Sequence, residues 1–122
     1  MSLRGIRGAT TVSANEEEAI LKATRELLDE MVERNGVHPA EIASVFVTMS
    51  PDLNATFPAR GIRTMPGWKE VPLMCATEVD VPGALQKCIR LLVLANSDRD
   101  ASGIRHVYLG DARQLRPDLA DQ

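Results

Sequence analysis

Aromatic side chains, cysteines and long apolar runs are all scarce in this sequence. Two phenylalanines, one tyrosine and one tryptophan among 122 residues mean that the hydrophobic core must be largely aliphatic. The longest apolar stretch, CIRLLVLA at 88–95, contains a charge and falls far short of the roughly 20 residues of a membrane span. We therefore expect no membrane partner.

Cysteine usage indicates a reducing compartment. Cys75 and Cys88 form neither a CxxC pair nor the disulfide framework of a small secreted protein. The N-terminus MSLRGIRGATTV has no apolar signal core. We expect a cytoplasmic protein.

Charge and motif content exclude several classes of function. The net charge is −3 and the isoelectric point about 5.4, so the chain has no general attraction for nucleic acid. No His, Cys and Asp cluster has metal-site spacing, and no glycine-rich loop follows a phosphate-binding pattern, so we expect neither a metal nor another cofactor. The length predicts a single domain over 1–122, whose small core would gain from burial between subunits.

Apolar periodicity and turn residues predict an α+β fold. The predicted elements are a strand at 3–12, a helix from Ser13 or Asn15 to Asn35-Gly36, a turn at 39–42, a strand at 43–49, an ordered loop with one helical turn at 59–64, a strand at 71–76, a helix at 82–96 capped by Asp80, a strand at 104–110 and the polar tail RPDLADQ. This order predicts a single mixed β-sheet with helices packed on one face.

Arg90 is the one charge inside the apolar run at 88–95. On a helix over 82–96 it would share a face with Lys87, Leu94 and Ser97. Two interpretations stay open at this point. Its stem lies on apolar surface while the guanidinium reaches water, or the guanidinium forms an anion site.

Other candidates carry similar alternatives. Arg7, between Gly5 and Gly8, either pairs with a glutamate or serves a site. Arg60 and Arg63 lie in RGIR, where a solvated surface would explain them. Eleven of the fourteen basic residues are arginine, the better group for bidentate contact with carboxylates.

Two further side chains complete the candidates. Glu78 is either a helix-entry charge or a functional carboxylate. Cys75 has no clear base partner, since His38 and His106 lie in unrelated contexts, so the sequence offers no covalent machinery.

Four local motifs, read together, identify a family. RGIRGATTV, PDLNATFPARGIR, CATEVDVPGALQKCIR, and IRHVYL with LRPDL closely resemble the monofunctional chorismate mutases of the trimeric pseudo-α/β-barrel type. The resemblance covers essentially the whole chain. It implies rearrangement of chorismate to prephenate without metal or cofactor, in a homotrimer whose active sites lie between neighbouring subunits.

The resemblance also implies the site residues. As substrate-binding positions it implies Arg7, Phe57, Ala59, Arg60, Arg63, Met74, Cys75, Glu78, Arg90, Tyr108, Leu115 and Arg116, with Arg90, Glu78, Arg7 and Cys75 nearest the chemistry. Two positions depart from the family pattern: Arg60 stands where lysine is familiar, and Met74 where threonine is.

A pericyclic reaction suits this residue list, because it needs no nucleophile and no proton transfer. By resemblance Arg90 reaches the ether oxygen and a carboxylate, and Arg7 with Tyr108 holds the side-chain carboxylate. Arg63 and Arg60 lie near the ring carboxylate, Glu78 and Cys75 meet the ring hydroxyl, and Phe57, Ala59 and Leu115 form walls. Such a site acts by holding a compact geometry and stabilising separating charge.

Two other functions stay open from the sequence. A non-catalytic trimeric sensor of a small carboxylate would use the same arginines, but it would gain nothing from Glu78 in its pocket. A nucleic-acid module built on RGIR is disfavoured by the acidic net charge and the few aromatic residues.

Overall fold

The chain folds into one five-stranded mixed sheet with a long helix against it. A computed structural model describes residues 1–118. The elements are β1 (Ser2–Thr11), α1 (Glu17–Asn35), β2 (Ile42–Met49), α2 (Ala59–Arg63), β3 (Leu73–Thr77), β4 (Cys88–Ser97) and β5 (Val107–Tyr108), with single 3₁₀ turns at Pro39–Glu41, Ala101–Gly103 and Gly110–Gln114. The strand order is β3-β2-β4-β1-β5. Residues 119–122, the end of the predicted polar tail, lie outside the described residues.

The predicted helix at 82–96 is wrong, because the apolar run forms β4 in the middle of the sheet. β4 pairs antiparallel with both β1 and β2. Residues 78–87 form a loop, so Asp80 caps no helix and Arg90 belongs to a strand face. Both faces of β4 carry apolar side chains, which hides the alternation of a strand and makes a short run look like a buried helix.

The two faces of the sheet differ in what packs against them. The helical face holds the core of Ile6, Val45, Val47, Leu91 and Val93, packed against α1 and α2. Gly8 permits this contact, since a Cβ there would overlap the Met31 sulfur. The prediction of a mixed sheet with helices on one face is confirmed.

The opposite face, here called the open face, carries the intervening residues of each strand. Paired residues of a ladder project to the same side, so Arg7 and Ala9 share this face with Leu92 and Arg90. Phe46, Met74 and Leu92 are 40%, 63% and 38% exposed on it. The open face is therefore a partly apolar surface in the single chain.

Several predicted boundaries move. α1 begins at Glu17, after Glu16 as N-cap, so neither Ser13 nor Asn15 caps it. The Asn15 side chain instead accepts hydrogen bonds from the backbone N–H groups of Asn54 and Ala55. Gly36, with φ of 62°, ends the helix as predicted. The strand predicted at 71–76 is β3, and the strand predicted at 104–110 shrinks to β5 because only two of its residues pair with β1.

Candidate active site

Arg90 and Glu78 lie side by side at one end of the open face, where β2 and β3 end and β4 begins. Arg90 Nε is 3.9 Å from Glu78 Oε1, and the two side chains are 42% and 30% exposed. The Arg90 Nε atom itself is buried, and it has no hydrogen-bond partner within residues 1–118. Buried N–H groups nearly always have an acceptor. Arg90 Nε–H is an unpaired buried donor among the described residues.

Glu78 is held by the end of β2. Its backbone N–H donates to the Met49 carbonyl at 2.8 Å. The Thr48 hydroxyl donates to Glu78 Oε2. Thr48 pairs with Arg90 in the β2–β4 ladder, so all three side chains meet at one point.

The first group of candidate residues surrounds this point. Arg7, Glu78, Arg90 and Tyr108 line one cavity of about 320 Å³, and we call them the arginine half-site. Arg7 comes from β1, Arg90 from β4 and Tyr108 from β5, which lie next to one another in the sheet. The half-site therefore concentrates two guanidinium groups, a phenol and one carboxylate.

The second group lies at the other edge of the sheet. Phe57, Ala59, Arg63, Met74 and Cys75 line a separate cavity of about 490 Å³, and we call them the β3 half-site. Among residues 1–118, none lines both cavities. β2 and β4 separate β3 from β1, which puts roughly 14 Å between those strands at about 4.8 Å per step. The predicted site residues thus fall into two halves within one chain.

Three predicted residues lie outside both cavities. Leu115 packs in a small cluster with Ala9, Cys88 and Tyr108, so it adjoins the arginine half-site. Arg116 donates from Nη2 to Asp118 Oδ2 at 2.9 Å, and this bond raises the pKa of Arg116. Arg60 Nη1 donates to Glu17 Oε1 at 2.5 Å. The Arg60 guanidinium is therefore already paired with a carboxylate of α1.

The sequence as a whole matches one family. The family model described as "Chorismate mutase type I" covers residues 3–119. The chain belongs to this family. It is 45% identical to chorismate mutase AroH of Bacillus subtilis (strain 168) over 98% of this chain and 94% of that protein. Identity to chorismate mutase AroH of Thermus thermophilus is 50%, over 96% of each chain.

A solved structure agrees with this type I chorismate mutase assignment. A chorismate mutase from Clostridium thermocellum superposes with a TM-score of 0.89 at 49% identity, covering 91% of this chain and 98% of that one. The family resemblance seen in the motifs is therefore confirmed over nearly the full length.

The thiols of this type I chorismate mutase differ in surroundings. Both cysteines are free. Cys75 is partly exposed, and the residues that line its cavity include no histidine that could act as a base. Cys88 is buried behind Arg90, and burial raises the pKa of its thiol although Arg90 opposes the rise.

Three residues near the site were missed from the sequence. Thr48 fixes Glu78, and Lys69 lines the β3 half-site. His106 Nδ1 accepts the backbone N–H of Arg7 at 2.9 Å. The alternation of SVFVTM, which puts Thr48 on the face of Phe46, was a usable signal for the first residue. No local sequence signal indicated the His106 contact, because it joins segments far apart in the chain.

Within the described residues, no three His, Cys, Asp or Glu side chains lie close enough together to hold a metal ion. No helix of residues 1–118 combines the length and the apolar character that crossing a membrane requires.

Proposed function

We propose that this chain converts chorismate to prephenate in a homotrimer, at sites that two neighbouring subunits complete together. The observation that carries the proposal is the division of the site residues. One chain holds an arginine half-site whose buried donor, Arg90 Nε, is unpaired among the described residues, while the five residues of the β3 half-site line another cavity. A neighbouring chain would bring its β3 half-site to the arginine half-site.

The arginine half-site suits the charge that moves in the reaction. As the ether bond lengthens, negative charge grows on its oxygen, and the free Arg90 Nε–H would donate to that oxygen. Glu78, beside it, would face the electron-deficient ring. Donors fixed in advance at the place where charge develops are worth about 10²–10³ in rate each.

The remaining groups would bind the substrate and keep it compact. Arg7 and Tyr108 would hold the side-chain carboxylate, and Arg63 of the neighbouring chain the ring carboxylate. Cys75 of that chain would meet the ring hydroxyl. Such binding lowers the entropy cost of reaching a chair-like geometry before reaction, and no side chain has to form a bond.

The remaining site residues are those that would line the substrate cavity and the two positions that differ from the family pattern. Phe57, Ala59 and Leu115 would exclude water, and Arg116 would lie at the mouth. Arg60 would reach the ring carboxylate only by leaving Glu17, so its contribution would be smaller than that of Arg63. Met74 would contact the substrate through its backbone.

The trimer is supported by the open face. Leu3, Phe46, Met74 and Leu92 are large apolar residues at least 38% exposed in the single chain. Phe46 pairs with both Met74 and Leu92, so these three form a contiguous apolar patch of the kind that marks contact with other molecules. Closing it against neighbours would form the pseudo-α/β barrel, with both half-sites at its seams. We also propose a cytoplasmic location, which the two free thiols support.

The direct test of activity is the loss of chorismate absorbance, with a separate assay for prephenate. Pure protein in the presence of a chelator should consume chorismate and form an equal amount of prephenate. A sensor would bind the substrate without consuming it, and that result would overturn the proposed activity.

Shared sites can be tested by mixing inactive variants. Arg90→Met and Arg63→Met lie in different half-sites, so each mixed trimer should regain roughly one intact site in three. A mixture of Arg90→Met with Arg7→Met is the matched control, since both changes damage the same half-site and no intact site can form. Equal recovery in the two mixtures, or none in the first despite proven subunit exchange, would contradict the shared site.

A further inference from the structure

Thr48 is the polar residue of β2 that faces the reacting centre. It lies on the open face, directly opposite Arg90 in the β2–β4 ladder. Its hydroxyl donates to Oε2 of Glu78, while Oε1 of the same carboxylate faces Arg90 Nε. The two oxygens of Glu78 therefore have different neighbours.

The Glu78–Arg90 separation is longer than attraction alone would leave it. A guanidinium and a carboxylate normally close to about 2.7–2.9 Å, often with two parallel hydrogen bonds. Here the nearest distance is 3.9 Å, and Arg90 Nε has no partner among the described residues. Some other contact must keep the carboxylate from closing on the guanidinium.

The contacts of Glu78 identify what holds it. Its backbone is fixed by the N–H bond to the Met49 carbonyl, which leaves the side-chain torsions free. The Thr48 hydroxyl restrains those torsions by binding Oε2. Without that hydroxyl, the side chain could rotate toward Arg90 and occupy the N–H that the substrate needs.

We propose that Thr48 is a positioning residue that holds Glu78 away from Arg90 and so keeps the Arg90 Nε–H free for the ether oxygen. This inference rests on the proposed function, because it assigns Thr48 a part in that same reaction. Thr48 lines the same cavity as Glu78 and Arg90, and its hydroxyl is bound to the Glu78 carboxylate. It acts through Glu78.

The test compares two substitutions at one position. Thr48→Val keeps the β-branched shape and removes the hydroxyl, whereas Thr48→Ser keeps the hydroxyl. We expect Thr48→Val to lower kcat about 10- to 100-fold with a smaller change in KM, because misplacement of a group that acts in the transition state costs rate more than binding. Thr48→Ser should stay within about threefold of the wild type. Thr77→Val, at an exposed position on β3, is the matched control and should leave turnover unchanged.

A second arm shows whether the effect passes through Glu78. In a Glu78→Ala background no carboxylate is left to hold, so Thr48→Val should cost nothing further. A crystal structure of Thr48→Val should show the Glu78–Arg90 distance shortened to hydrogen-bond length. If Thr48→Val fails to fold, Thr48→Ala removes the same hydroxyl and takes its place in both arms.

The outcomes separate this inference from the proposed function. A wild-type protein that does not consume chorismate overturns the proposed function. An active wild type whose turnover is unchanged by loss of the hydroxyl overturns only the role of Thr48. The same holds if Thr48→Ser is as impaired as Thr48→Val, or if the loss is equally large in the Glu78→Ala background.

Discussion

Replacing Arg90 by methionine should separate stability from rate. Methionine keeps a long unbranched stem that can lie on the same apolar neighbours, but it has no donor. Arg90 lies in the central strand, so a purely structural role would appear at once as lost stability. A role in binding transition-state charge would appear as lost turnover.

The stability change can be estimated from the contacts of Arg90. A buried N–H without an acceptor costs about 1–3 kcal/mol, and methionine removes this cost. The partly exposed ion pair with Glu78, at 3.9 Å, contributes about 0–1 kcal/mol, which is lost. Glu78 keeps its hydrogen bond from Thr48. The free energy of unfolding should therefore stay equal or rise by up to about 3 kcal/mol.

The rate should move the other way. Loss of one donor aimed at developing charge lowers kcat by about 10²–10³, equivalent to about 2.7–4 kcal/mol. Arg90→Lys should not restore normal turnover, because an ammonium group cannot reproduce the planar fork of a guanidinium.

Chorismate consumption and urea unfolding of the same preparations measure the two quantities. Arg105→Met is the matched control: Arg105 is exposed and lines neither half-site, so both rate and stability should stay near wild type. An Arg90→Met protein that unfolds, or one that keeps near-normal turnover, would refute the reasoning.

Three further predictions concern residues around the site. Lys87 has φ of 50°, so urea unfolding should show Lys87→Gly at least as stable as wild type and Lys87→Val less stable by about 1–2 kcal/mol; equal stability of the two variants would contradict this. Burial, then Arg7 and Arg116, lowers the pKa of His106 below its usual 6.5. As pH falls through 6.5, the unfolded chain therefore binds the proton first and the free energy of unfolding decreases. His106→Asn keeps an acceptor for the Arg7 N–H and should make this decrease smaller in unfolding measured from pH 7.5 to 5. An unchanged pH dependence would contradict this prediction. Cys75→Ser should keep substantial activity in the chorismate assay, and a covalent adduct trapped on Cys75 during turnover would disprove this.

The local sequence pattern was sufficient to locate the elements that have one buried side and one exposed side. α1 has one buried stripe and a glycine in the left-handed conformation at its end, so helical periodicity and Gly36 located it. β2 alternates in burial, and it runs over Ile42–Met49, close to the predicted 43–49. The motif combination also identified the family, whose model matches residues 3–119.

The sequence by itself determined an aliphatic α+β chain, its principal helix, its family and the charged residues that are proposed for the site. Tertiary structure alone decided that CIRLLVLA is a central strand. One side of this strand packs toward the helices and the other side forms part of the open face. Both sides carry apolar residues, so the local sequence shows no strand alternation. It also decided that Thr48 binds Glu78 and that His106 binds the backbone of Arg7. These contacts join segments far apart in the chain, and strand pairing, which local sequence does not encode, is what brings them together.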